Sequence, residues 1–238
     1  MPLFSIITIN LNNVNGLQKT IDSVLSQTFH DFEFIIIDGG STDGSLDSIE
    51  KSAGKIKYWV SEKDTGIYNA MNKGIAQSTG KYLLFLNSGD TLVDSDVLQN
   101  VFNQNTQADI VYGDMQTQEK IGLITHRKMP EKIGAIQLYA DTIWHPVAFI
   151  KRDLFYKYGF YDEQFRIVSD YEFFVRMVLS KKVSAKYLPI EVALFDMSGV
   201  SSAIDNKVQL MKERAAVQDK YFNPLLLFLF RMYSKLRS

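Results

Sequence analysis

A chain of 238 residues with 46% hydrophobic and 22% charged residues has the make-up of an ordinary globular protein with a sizeable core. The formal net charge of −1 leaves no basic surplus for nucleic acid, so a nucleic-acid partner is not expected. The absence of cysteine excludes disulfides and thiolate chemistry and suits a reducing compartment, here the cytoplasm.

The opening MPLFSIITINLNN lacks a basic segment and a small-residue cleavage site, and reads as a first strand over Phe4 to Ile9. Leu17, Ile21, Val24 and Leu25 recur at helical spacing. Phe32 to Ile37 is a second apolar run, ended by DGGSTDGS, in which Ser41 or Thr42 is placed to cap a helix over Ser45 to Lys51. A third strand is expected over Ile56 to Val60. The stretch SEKDTGIYNAMNKG then opens a helix that Asp64 or Thr65 can cap, with Ile67, Ala70, Met71, Gly74, Ile75 and Ser78 on one face. Tyr82 to Leu86 and Asp109 to Tyr112 read as a fourth and a fifth strand. Strands alternating with helices imply a parallel sheet covered on both faces, with ligands beyond the carboxyl ends of its strands.

The second half is less regular. Gln116 to Glu131 reads as loop and hairpin, Arg152 to Tyr158 as a helix, and Asp170 to Leu179 as a helix with Phe173, Phe174, Met177 and Val178 inward. Val183 to Leu188 and Val192 to Phe195 suggest two returning strands, and Lys207 to Tyr221 a further helix. Pro224 suits the first turn of one more. The longest fully apolar run, Leu225 to Phe230, is far short of the ~20 residues a spanning helix needs.

Each polar cluster has a structural and a functional reading. DGGSTDGS is an ordinary strand-to-helix turn or a ligand loop; it lacks both dinucleotide and Walker spacing. In YLLFLNSGD, Asp90 either closes a turn or holds a hard cation against a diphosphate. Asn69, Asn72 and Lys73 form a solvated face or a binding face. Asp170, at the start of SDYEFFVR, either compensates a helix dipole or acts as a general base. His145 in WHPVAF is structural or catalytic.

Taken in order, SIITINLNN, IIIDGGSTDGS, DTGIYNAMNKG, YLLFLNSGD and SDYEFFVR resemble the motif series of inverting family 2 glycosyltransferases, over about Leu3 to Ser202. The resemblance implies an α/β GT-A fold: a single Rossmann-like domain with a mostly parallel central sheet. It implies a domain over 1–205, with 1–115 binding the nucleotide sugar and 116–205 the acceptor, and a helical extension over 206–238. By motif, donor contacts are expected from Thr8, Asn10, Asn12, Asp38, Gly40, Ser41, Asp64, Asn72 and Asn87. Asp90 is the expected ligand of Mg²⁺ or Mn²⁺, Asp170 the catalytic base, and His145 and Ser201 the acceptor side. A UDP-sugar donor and a saccharide or lipid-linked acceptor are implied.

Departures from the pattern are Gly39 for the second Asp of the base-binding pair, Asn87 and Gly89 for acidic residues of the metal motif, and Met71 for an arginine. Such variants are similar to those of capsule and exopolysaccharide transferases. The alternatives are a nucleotidyltransferase, against which SIITINLNNVNG offers no Arg or Lys, and a degenerate nucleotide-sugar binder, against which both Asp90 and Asp170 stand. The apolar run 225–230 followed by Arg231, Lys235 and Arg237 suits a helix lying on anionic lipid at the inner face of a membrane, or else one docked on its own core or on a second copy in a homodimer.

Overall fold

The structure, a computed structural model, describes residues 1–118, 122–197 and 207–235. The first half follows the expected alternation: β1 (Phe4–Asn10), α1 (Val14–Leu25), β2 (Phe32–Asp38), α2 (Ser45–Ser52), β3 (Tyr58–Ser61), α3 (Ile67–Gln77) and β4 (Tyr82–Phe85). Every residue of β1 is buried, as expected of a parallel strand covered on both faces. The order β3-β2-β1-β4 is parallel throughout. It sets the ends of β1, β2 and β3 and the loop after β4 along one edge.

Next come β5 (Thr91–Leu92), α4 (Val97–Asn103), β6 (Ile110–Gln118), β7 (Ile124–Arg127), α5 (Ala135–Ala140), β8 (Ala148–Lys151), α6 (Arg152–Tyr158), α7 (Ser169–Val175), β9 (Ala185–Asp196), α8 (Lys207–Tyr221) and α9 (Pro224–Lys235). The sheet continues from β4 through β8, β6 and β9 to β5, with β7 on β6. β8 runs antiparallel to both β4 and β6, whereas β9 is parallel to β6.

Several local expectations are corrected. Neither Ser41 nor Thr42 caps α2: it begins after Gly44, whose φ of 94° lies in the left-handed region, and Asp43 Oδ1 accepts from the Ser45 amide and hydroxyl. Asp64 does not cap α3; its Oδ1 accepts from Gly66 N–H, one residue before the helix. The helix over Asp170 is α-helical only to Val175 and ends in a π-helical turn, Arg176–Ser180. The two returning strands are one, β9, interrupted opposite Gly113. The register to β6 slips there, and Pro189, which cannot donate to a ladder, sits at the irregularity. A Cβ on Gly113 would lie 2.4 Å from Ile190 O, so the bulge needs glycine at that point.

Beneath α7 the core is aromatic. Phe155 stacks on Phe173 at 4.4 Å, and Phe85 and Tyr161 meet that pair edge-on. α8 and α9 join this core through Val217, Phe222 and Leu227.

Candidate active site

Along the edge formed by β1, β2 and β3, the polar groups are mostly bound to one another. Asp38 is fully buried. Its Oδ1 accepts from Asn10 Nδ2 (2.7 Å) and Ser41 Oγ (2.6 Å); its Oδ2 accepts from Gly40 N, Ser41 N and Ser61 Oγ. Burial pushes this carboxyl up, but the bonds from Ser41, Ser61 and Asn10 outweigh it and hold it below the usual range. Asp38 is therefore an ionised carboxylate that anchors the turn. Thr8 is likewise committed, donating to Leu86 O at 2.7 Å and tying β1 to the end of β4. Asn12 N–H donates to Ser41 Oγ and Asn12 Oδ1 accepts from Thr42 N, which fixes the rim of the loop. Asn10 Oδ1 is buried without a partner. Gly40 has φ of 81°. A Cβ on Gly39 would stand 2.6 Å from Asp64 Oδ2, so the side chain missing at 39 leaves room for a carboxylate brought by the β3–α3 loop.

Next to this edge lies a cavity of about 650 Å³, between the loop after β4, the far ends of β6 and β9, and α7. Asn87, Asp90, His145 and Asp170 all line it, so the structure joins four predicted residues that are up to 83 positions apart in sequence. Asn87 Nδ2 and His145 Nε2 are 3.0 Å apart, and His145 Nδ1 is 3.4 Å from Asp170 Oδ2. We place a proton on Nδ1, donating to Asp170. Tyr68 Oη shares its one proton between Asp170 Oδ1 at 2.9 Å and Ile167 O at 2.6 Å. Burial raises the Asp170 pKa, but the His145 hydrogen bond, its charge and the Tyr68 hydroxyl together bring it below the usual value. Burial and the Asp170 charge push Tyr68 well above its ordinary value, so it remains a donor.

Asp90 is in the opposite condition. It is buried, its Oδ1 accepts from Asp196 N–H at 3.0 Å, and its Oδ2 has no partner. Burial pushes its pKa up to about 7; the charge of His145 and the backbone bonds oppose this, and the like charge of Asp196 adds to it. A buried carboxylate oxygen lacking a partner is the donor a hard divalent cation takes, so the residues present fit Mg²⁺ or Mn²⁺, with Asp90 as ligand. Among the described residues, no group of three or more His, Cys, Asp or Glu side chains could hold an ion unaided.

Asn72 is not brought to the cavity. Its amide binds Tyr161 N and O and Glu163, fastening α3 to the loop before α7, and Asn69 also donates to Glu163. Ser201 and the Gly-Val-Ser segment around it lie outside the described residues. Three residues of the site were not picked out from the sequence. Tyr68 stood inside a quoted motif but carried no separate signal. Asp196 follows a strand with nothing to mark it. Glu213, in a helix read as ordinary, is buried and accepts from the N–H groups of Arg166, Ile167 and Val168, which fixes the segment that leads into Asp170.

Known proteins resemble this chain over most of its length. A PGL/p-HBAD biosynthesis glycosyltransferase of Mycobacterium bovis is 32% identical over 251 aligned positions, which take in all of this chain and 93% of that protein. An uncharacterized glycosyltransferase of Mycobacterium tuberculosis is 33% identical over 207 positions, 84% of this chain and 78% of that one. Among solved structures, S. aureus TarS 1-349 in complex with UDP-GlcNAc superposes with a TM-score of 0.72 at 18% identity, covering 94% of this chain and 68% of that one. This chain spans 40% of a longer TarS chain. The mannosyltransferase PcManGT from Pyrobaculum calidifontis, in complex with GDP-Man and Mn²⁺, has a TM-score of 0.62 at 15% identity over 82% of this chain and 56% of that one. These structures share the fold, and it is the GT-A fold expected from the motifs. The mycobacterial names concern PGL/p-HBAD biosynthesis and not capsule, so the narrower likeness to capsule transferases has no support here. The model of the glycosyl transferase family 2 matches residues 5–166, more than half the sequence, and the chain belongs to that family.

Proposed function

We propose that the protein transfers a sugar from a nucleoside diphosphate, a UDP-sugar by preference, to a hydroxyl of a saccharide or lipid-linked acceptor, with inversion and with Mg²⁺ or Mn²⁺. The observation that carries this reading is the pairing, in one cavity, of the unpartnered oxygen of Asp90 with an ionised Asp170. The UDP-GlcNAc held by TarS and the GDP-Man and Mn²⁺ held by PcManGT support a nucleotide-sugar donor with a metal, and the name of the mycobacterial relatives supports a glycoconjugate product.

Each residue then has a task. A cation held by Asp90, its shell completed by diphosphate and water, would offset charge on the leaving group. Asp170 Oδ2 takes the proton of the acceptor hydroxyl as that oxygen attacks the anomeric carbon from the face opposite the nucleotide. His145 Nδ1–H and Tyr68 Oη orient the carboxylate and keep it ionised until then. Arg127, Arg166 and Arg214 line the cavity further out and can meet an anionic group of either substrate. The nucleoside would be held by the ends of β1, β2 and β3 and the loops that follow, which carry Asn10, Gly40 and Asp64. A panel of UDP- and GDP-sugars, tested for hydrolysis and for binding with and without Mn²⁺, tests the reading. Turnover of at least one donor that stops in EDTA is expected, and a chain that neither binds nor turns over any of them refutes it.

The reading extends to place: the cytoplasmic side, with the protein seated on a membrane surface. No helix among the described residues is long and apolar enough to cross a membrane. α9 docks through Leu227, with Phe230 against Tyr139, yet Leu225, Phe228, Leu229 and Met232 on its other side are 48–70% exposed. Residues 207–238 hold seven Lys or Arg against two Asp or Glu, in a chain whose net charge is −1. An apolar stripe on a cationic extension is complementary to anionic lipid. Leu210 and Arg214 of the same extension line the cavity, which would bring a lipid-linked acceptor to it.

A further inference from the structure

Gly89 has φ of 108° and carries no side chain where the chain crosses in front of the end of β9. A Cβ there would lie 3.0 Å from Asp196 Oδ2 and 3.3 Å from Asp196 Cβ. The glycine thus allows a carboxylate from another strand to approach the turn that bears Asp90. The contact is two-sided: Asp196 N–H donates to Asp90 Oδ1, and both side chains line the cavity. Two carboxylates brought together by the backbone repel each other, and the burial of Asp90 sharpens this because little water screens the pair. A fold sustains such an arrangement by keeping a proton on one carboxyl or by seating a cation between the two, and a cation can displace that proton. Asp90 Oδ2, buried and unpartnered, already points to a cation.

We infer that Asp196 is a second carboxylate of the cation site, supplied from β9 beside Asp90. This rests on the metal-dependent reading above and deepens it. The ion would be bound by one carboxylate from the loop after β4 and one from a strand about a hundred residues later, so that it joins the donor half of the sheet to the acceptor half. Two carboxylates, with phosphate and water in the remaining positions, are an ordinary donor set for Mg²⁺ or Mn²⁺. The inference also makes sense of Gly89 on physical grounds: an acidic side chain at that point would collide with Asp196, and the site takes its second charge from β9 in its place.

The test is a titration of the full metal-free chain with Mn²⁺ alone, followed by the electron paramagnetic resonance signal of free Mn²⁺. Asp196→Asn and Asp90→Asn each keep the shape of the side chain and remove its charge. Each is expected to weaken Mn²⁺ binding by at least about tenfold, and the double variant is expected to be little worse than the weaker single one, since both act on a single ion. Asp196→Asn binding Mn²⁺ like the wild type while Asp90→Asn does not would overturn the inference and leave Asp90 as metal ligand. A wild-type chain that binds no Mn²⁺, yet turns over a donor in EDTA, would overturn the metal reading as a whole. Should Asp196→Asn not fold, wild-type crystals soaked in MnCl₂ decide: anomalous density touching both carboxylates supports the inference, and density on Asp90 alone refutes it.

Discussion

Asp90→Asn, studied without metal, tests the electrostatics of the site directly. The Asp90 pKa is about 7 in the folded chain against 3.8 for the free side chain. A carboxyl whose folded pKa is raised contributes stability that is full below the unfolded pKa and is lost as pH rises through the folded one. Between pH 5 and pH 8 the wild-type protein in EDTA should thus lose about 2–3 kcal/mol, at 1.36 kcal/mol per pH unit over the roughly two units in which only the folded state holds the proton. For a chain of this size that is a fall of about 5–10 °C in Tm. Carboxylates whose pKa is lowered, Glu33, Asp38, Asp109 and Asp170 among them, have the opposite sign but act below their ordinary values, outside this window. The assay is thermal unfolding at the two pH values, wild type against Asp90→Asn. The variant should lose the fall, since its side chain stays neutral while its Oδ1 can still accept from Asp196 N–H. Adding Mn²⁺ at pH 8 should then stabilise the wild type and move the variant much less. An Asp90→Asn protein that falls as steeply as the wild type would show that another group titrates, and the account of the site would be wrong.

Asp170→Asn should reduce transfer by about 10²- to 10⁴-fold and leave donor affinity nearly unchanged, as steady-state kinetics at pH 7 can show. Glu213→Ala removes the acceptor of three backbone N–H groups and should cost about 2–4 kcal/mol in urea unfolding, with a loss of kcat as the segment before Asp170 loosens; Glu213→Gln should recover part of both. Gly113→Ala should cost about 1–3 kcal/mol or more, since its methyl group meets a backbone carbonyl and not a yielding side chain. Phe228→Gln/Leu229→Gln should keep the fold and donor turnover but lose co-sedimentation with anionic vesicles, and wild-type binding should weaken with salt. A wild type that binds no such vesicles, or a double variant that turns a dimer into monomers, would reassign the α9 stripe to a protein contact.

Periodicity in the sequence was enough for β1 to β4 and the helices between them, though not for their order in the sheet. β1, β2 and β4 are mostly apolar because both their faces are covered, and short-range pattern reports such burial well. Four candidate residues were legible too: Asp90, Asp170, His145 and Asn87 were singled out from their motifs, and they share a cavity. What each polar residue touches was not legible, because hydrogen-bond partners are chosen by approach in space. Asp38 read as a ligand contact, and in the fold its oxygens also anchor the turn around it; Asn72 read as part of a binding face, but Glu163 and Tyr161 hold it. The merging of two strands into β9 depended on a bulge that only the pairing of Gly113 with Ile190 creates. Asp196 and Glu213 had no local signature at all. Each gains its place when the end of β9 meets the turn at Gly89, or when α8 packs beneath the segment 166–168, and contacts between residues about fifty to a hundred positions apart leave no trace in the spacing of either partner.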